Sequence, residues 1–142
     1  MSWFKKKELT AEESNLVRQC TREAEELYRS GSHHCAEAVL ESVRRRFTPE
    51  LPPSMVQAVS GFGGGSGSGC ICGAVSGGTV ALGLALKEDK KGITQTTKEL
   101  HVWFKEKYGV TCCKTIRQTH KGACPLLTGE VAGKVAELLN KQ

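Results

Sequence analysis

Apolar residues return every three or four positions through Leu16, Val17, Cys20, Ala24, Leu27 and Tyr28, which predicts an amphipathic helix over about 10–29. Thr10 followed by Glu13 has the form of a capping box at its start. Ser30-Gly31-Ser32 breaks the pattern. It resumes from about His34 to Arg46, with Cys35, Val39 and Val43 on one face and Ala36 and Leu40 beside them. Thr48-Pro49 and Pro52-Pro53 interrupt the chain, and a short helix from about Pro53 carries Val56 and Val59.

Between Gly61 and Gly69 the pattern gives way to a glycine-rich loop, SGFGGGSGSG, which ends at Cys70 and Cys72. From Ile71 to Leu86 the residues are apolar or small nearly all round, as in a buried central helix. Gly73, Gly77, Ala81 and Ala85 recur every fourth residue, with Ala74 and Gly78 in a parallel row, so another helix can approach closely. The β-branched Val75, Thr79 and Val80 would also suit a strand, but strict alternation is missing. Lys87 to Gly92 reads as a charged surface turn. A further helix is expected from about Thr94 to Tyr108, with Leu100, Trp103, Phe104 and Tyr108 inward and Gly109 closing it. Cys112-Cys113 opens a short helical stretch to about Thr119, and Gly122-Ala123-Cys124-Pro125 reads as a loop. Thr128 is the expected cap of a last helix over about 128–140, in which Val131, Val135, Leu138 and Leu139 face inward. The expectation is an all-α fold: one compact helical domain over 1–142, with a buried Gly/Ala-rich central helix after a glycine-rich loop.

A length of 142 residues is enough for one domain with its own core. The net charge of +5 comes with two short basic runs, Lys5–Lys7 and Arg44–Arg46, and no aromatic interleaving, so no nucleic-acid partner is expected. The opening MSWFKKKELTAEE has no apolar stretch behind its lysines, and no run approaches membrane-spanning length. A cytoplasmic protein without a membrane partner is expected. Seven cysteines in that setting point to metal or redox chemistry before a disulfide framework.

Cys20 lies on an apolar stripe and reads as a small buried hydrophobe. Cys35, Cys72 and Cys113 fall at or near predicted helix starts, and Cys124 falls just before Pro125. Unpaired N–H groups at a helix start favour thiolate, the form that binds metals and attacks disulfides. These four thiols can therefore supply four ligands, a set suited to an iron–sulfur cluster or to tetrahedral zinc. Cys70, Cys112, His34, Gly64 and Gly65 are secondary candidates. His33 and His34 otherwise read as solvent-exposed, and His101 and His120 lack an evident acid or nucleophile partner. The glycines do not supply a dinucleotide fingerprint, and Cys70 stands where a phosphate loop needs lysine. A metal-free thiol–disulfide couple (Cys113 with Cys124, or Cys35 with Cys72) and a structural zinc module remain open beside the cluster.

GSHHCAEAVLES (31–42), SGFGGGSGSGCICGAVSGGTVALGL (60–84) and YGVTCCKTI with the following GAC (108–124) together resemble the redox-active proteins named for a C…GCAxxG…C…C pattern. A related domain occurs in split-Soret cytochromes, whose haem-binding portion has no counterpart here. The resemblance covers about 30–125, with the helices over about 10–29 and 128–140 packed on that core. It implies a small, mostly helical redox or iron–sulfur protein with Cys35, Cys72, Cys113 and Cys124 as its characteristic cysteines. Where the pattern has Gly-Cys-Ala before x-x-Gly, this chain reads Cys72-Gly73-Ala74-Val75-Ser76-Gly77. A redox partner protein and an electron-transfer role are expected, and close-packed small-residue helices can also serve a homodimer.

Overall fold

The computed structural model describes residues 8–142, so the expectation placed on the basic run Lys5–Lys7 lies outside the described residues. The chain forms one compact all-α domain, with no strand among the described residues. Its helices are α1 (Ala11–Arg29), α2 (Cys35–Phe47), α3 (Gly73–Ala85), α4 (Lys90–Tyr108), α5 (Cys113–Thr119) and α6 (Cys124–Asn140). A 3-10 segment, Pro53–Phe62, lies between α2 and α3.

The capping box of α1 is formed: the Glu13 N–H donates to Thr10 Oγ1 at 3.1 Å, and the Thr10 N–H to Glu13 Oε1 at 2.9 Å. Three boundaries differ from the sequence reading. Helix α4 begins at Lys90, not near Thr94, because the Asp89 side chain accepts from the Gly92 N–H at 2.9 Å and starts the helix inside the charged run. Helix α6 begins at Cys124, not at a Thr128 cap. Pro125 lies in its first turn, where a missing N–H costs nothing. Thr128 is instead fully buried in the body of that helix. Helix α3 starts at Gly73, because the residues before it pair with the segment ahead of α5 through an antiparallel bridge between Ile71 and Cys112.

Helix α3 packs on α2, α4 and α6, but α6 is the member that touches α1, α2, α3 and α4 alike. The core is built from Val39, Leu40, Val43, Val75, Leu82, Leu100, Phe104, Ile116, Leu127, Val131 and Val135. Small residues let the backbones meet. A Cβ added at Gly77 would fall 2.5 Å from the Ala36 carbonyl oxygen, so α2 and α3 cross in contact at that point. The same device recurs at Gly129 of α6, whose added Cβ would lie 2.6 Å from the Thr21 carbonyl oxygen of α1. A charged pair is built in: Arg44 and Glu41 are both buried, and Arg44 donates to Glu41 at 2.6 Å and to the Leu51 carbonyl at 2.9 Å.

Candidate functional site

Among the described residues, three of the six α-helices, α2, α5 and α6, have a cysteine as first residue, and α3 has one as its N-cap. Cys35, Cys72, Cys113 and Cys124 line one cavity of about 360 Å³. Cys72 and Cys113 are buried; Cys35 and Cys124 are partly so. Gly73 admits the closest approach, since a Cβ there would lie 2.5 Å from Cys35 Sγ. The rest of the wall includes Tyr28, His34, Ser60, Gly64, Arg117 and Thr128.

The glycine stretch becomes a wall by turning left-handed. Gly64, Gly65, Ser66 and Gly67 have φ of 65°, 68°, 60° and 69°, and the Cys70 N–H closes the turn on the Gly65 carbonyl at 2.9 Å. Serine in that region is strained, and glycine is not. At Gly65 a side chain would also strike Cys113, whose Cβ would lie 2.7 Å from an added Cβ. The 3-10 segment that leads into the turn is fastened to α2 by Ser60 Oγ, which donates to Glu37 at 3.0 Å, while Glu37 also accepts from the His34 N–H at 3.0 Å.

Helix starts alone predict lowered thiol pKa values, and the structure reverses that expectation at two positions. Burial pushes the Cys72 thiol up to about 12, with the neighbouring Cys35 and Cys113 sulfurs adding to the rise and the N–H groups of Val75 and Ala74 opposing it. Burial likewise raises Cys35, against the N–H groups of Gly64 and Ala36, while Cys124 and Cys113 add to the rise. Cys35 thus has Cys124 and Cys113 among the groups acting on it, and Cys72 has Cys35 and Cys113. Burial also raises the Tyr28 phenol, helped by Cys124 and Cys35, a hydrogen bond to Cys124 among them, and opposed by Arg117.

Cys70 is exposed, Cys112 is partly exposed, and neither lines the cavity. The Cys112 thiol is lowered, chiefly by the Thr115 side chain and backbone. His34 and Gly64 stand on the cavity wall. Cys20 lies apart, fully buried, with its thiol on the Ser42 carbonyl at 3.7 Å. His101 and His120 make local contacts with the Thr97 and Tyr108 carbonyls. Among the described residues, no group of three or more His, Cys, Asp or Glu is drawn together around a single ion position. The thiols surround a volume instead.

Sequence reasoning missed Tyr28, Arg117 and Thr128 as wall residues. Arg117 follows Cys113 by four residues and Thr128 follows Cys124 by four, so one helical turn puts each on its cysteine's face. Tyr28 was legible only as the last member of an apolar stripe. Thr128 Oγ1 is buried and has no hydrogen-bond partner among the described residues.

Residues 33–138 match the model of the family described as "Putative redox-active protein (C_GCAxxG_C_C)", and the chain belongs to that family. No curated protein and no solved structure matches it. No helix among the described residues is long and apolar enough to cross a membrane.

Proposed function

From that membership, we propose that the protein is an electron carrier in which Cys35, Cys72, Cys113 and Cys124, as thiolates, hold an iron–sulfur cluster inside the cavity. The observation that carries this reading is the meeting of four cysteines, from four separate helix starts, on one cavity. Four thiolates are the usual ligand set for such clusters. The volume supports a many-atom group, since small-molecule and cofactor sites run from roughly 300 to 1,000 Å³. Tetrahedral zinc needs its sulfurs about 2.3 Å from one centre, and the described side chains are not gathered in that way. Thr128 Oγ1, buried without a partner at the wall, is a donor free for a group placed there.

A bound cluster would supply a one-electron couple, and the chain's own groups would set its potential. The N–H groups of Gly64 and Ala36 favour the Cys35 thiolate, and those of Val75 and Ala74 favour that of Cys72. Hydrogen bonds to ligand sulfurs disperse negative charge and favour the reduced state. Tyr28 acts in the same way on Cys124. Apolar residues Ile116 and Leu127 keep water from the inner wall.

Purification without oxygen tests the reading. The expected product is brown, contains iron and acid-labile sulfide, and loses its visible absorbance in Cys72→Ser. A folded but colourless and metal-free protein would overturn it. Zinc without labile sulfide would assign the structural-zinc reading instead. Paired loss of cavity thiols under mild oxidant, with no metal bound, would assign the disulfide couple.

A further inference from the structure

Besides the buried Cys20, two cysteines stand outside the cavity, and the backbone sets them side by side. The Cys72 N–H donates to the Thr111 carbonyl at 2.7 Å, and the Cys113 N–H to the Cys70 carbonyl at 2.5 Å. These two bonds frame the antiparallel Ile71–Cys112 bridge. A pair framed in this way has its Cα atoms about 4.5 Å apart. Consecutive Cα atoms are about 3.8 Å apart, so one step from Ile71, roughly at right angles to that pair, puts the Cα atoms of Cys70 and Cys112 about 6 Å apart. That separation lies inside the roughly 4.4–6.8 Å span that disulfides require.

The pleat decides which side chains face where. Alternation across the bridge turns Cys72 and Cys113 toward the cavity, and Ile71 and Cys112 away from it. Ile71 is 49% exposed, as an outward position should be. Cys70 departs from extended backbone, with φ −80° and ψ −130°, and is exposed. Cys112 Sγ already hangs 3.5 Å from the Gly69 carbonyl oxygen, over the peptide that leads into Cys70.

We propose that Cys70 and Cys112 form a second, surface dithiol that exchanges with disulfides of low molecular weight. The Cys112 thiolate attacks one sulfur of the small disulfide, forming a mixed disulfide and releasing one thiol. Cys70 then attacks the Cys112 sulfur, closing the Cys70–Cys112 bond and releasing the second thiol. The two protein thiols give up two electrons and two protons, and the two released thiols hold both. The closed bond clamps the strand crossing whose inner face carries Cys72 and Cys113. Nothing in this step depends on what the cavity holds.

The reduced protein is incubated with excess oxidised glutathione, quenched with N-ethylmaleimide, and read by intact-mass and tandem mass spectrometry. The expected result is loss of two alkylatable thiols per chain, no retained glutathione, and fragments that place the bond between Cys70 and Cys112. Cys70→Ser, an exposed change, should lose one thiol and keep one glutathione on Cys112. An unreacted wild-type chain, a persistent glutathione adduct on it, or a bond that includes any of the four cavity cysteines would each overturn the proposal.

Discussion

Gly77 is the position where the core and the cavity depend on the same contact. It lies one turn after Gly73 on α3, against the residue that follows Cys35 on α2. A Cβ added there meets only backbone: the Ala36 oxygen at 2.5 Å, its Cα at 2.8 Å and its carbonyl carbon at 3.0 Å. Comfortable contact begins near 3.5 Å, so Gly77→Ala forces the two helices apart by about 1 Å. No flexible side chain can give way. Overpacking costs about 1–3 kcal/mol, and a clash confined to backbone belongs at the upper end. Alanine returns up to ~1 kcal/mol of helix propensity. The net expectation is a loss of about 2 kcal/mol, or ~4–8 °C in Tm for a domain near this size.

Gly83 supplies the control. It sits on the same helix, is exposed, and has nothing within 4 Å of an added Cβ. Gly83→Ala should therefore raise stability by up to ~1 kcal/mol. Urea denaturation followed by far-ultraviolet circular dichroism reads both variants against the wild type. A Gly77→Ala protein as stable as the wild type, or more so, would refute the close-packing argument. So would the same loss in both variants, since that would trace the effect to the helix and not to its neighbour.

Two further outcomes follow from buried groups. Burial raises the Cys20 thiol from 9.0 to about 11, with Glu23 adding slightly and Arg46 opposing. The folded chain then holds a proton that the unfolded chain releases first. Its stabilising contribution is whole below pH 9 and is lost as pH rises to 11, at a cost of about 2–3 kcal/mol. Denaturation midpoints across that range should fall more steeply in the wild type than in Cys20→Ala, and equal slopes would contradict this. At the buried pair, Arg44→Met leaves Glu41 with the more distant Arg45 Nε at 3.7 Å and should lower stability by about 3 kcal/mol. Adding Glu41→Leu should recover most of that loss, whereas additive losses in urea denaturation would show that the charge pairing was not its source.

The helices were legible because the apolar period is strong wherever a helix buries one face. The misplaced boundaries share a cause. Asp89 caps α4 from inside a run of charges that carries no apolar period, and Pro125 marks a loop or a helix start equally well until its neighbours are seen. The left-handed turn at 64–67 was visible only as glycine density, because Ser66 breaks the rule that would have announced it. The close crossing at Gly129 escaped notice for a different reason. Its partner is a backbone carbonyl of α1, which carries no sequence signal.

The cysteines stood out in the chain, but what surrounds them did not, and the difference is physical. A helix start predicts the direction of a local field, whereas burial depends on what the remaining helices place overhead. At Cys72 burial outweighs the N–H groups of Val75 and Ala74, and the thiol rises where the local rule alone has it fall. Arg117 and Thr128 reach the cavity because α5 and α6 present a second residue one turn below each cysteine, so the wall follows from where those helices lie. The cavity is thus the meeting point of helix ends whose positions are set by the core, through contacts such as Ala36 on Gly77 and Thr21 on Gly129. A substitution far from every sulfur can therefore change the distances among the sulfurs, and a Gly77→Ala protein that folds but opens the Cys35–Cys72 edge would separate the stability of this fold from the competence of its site.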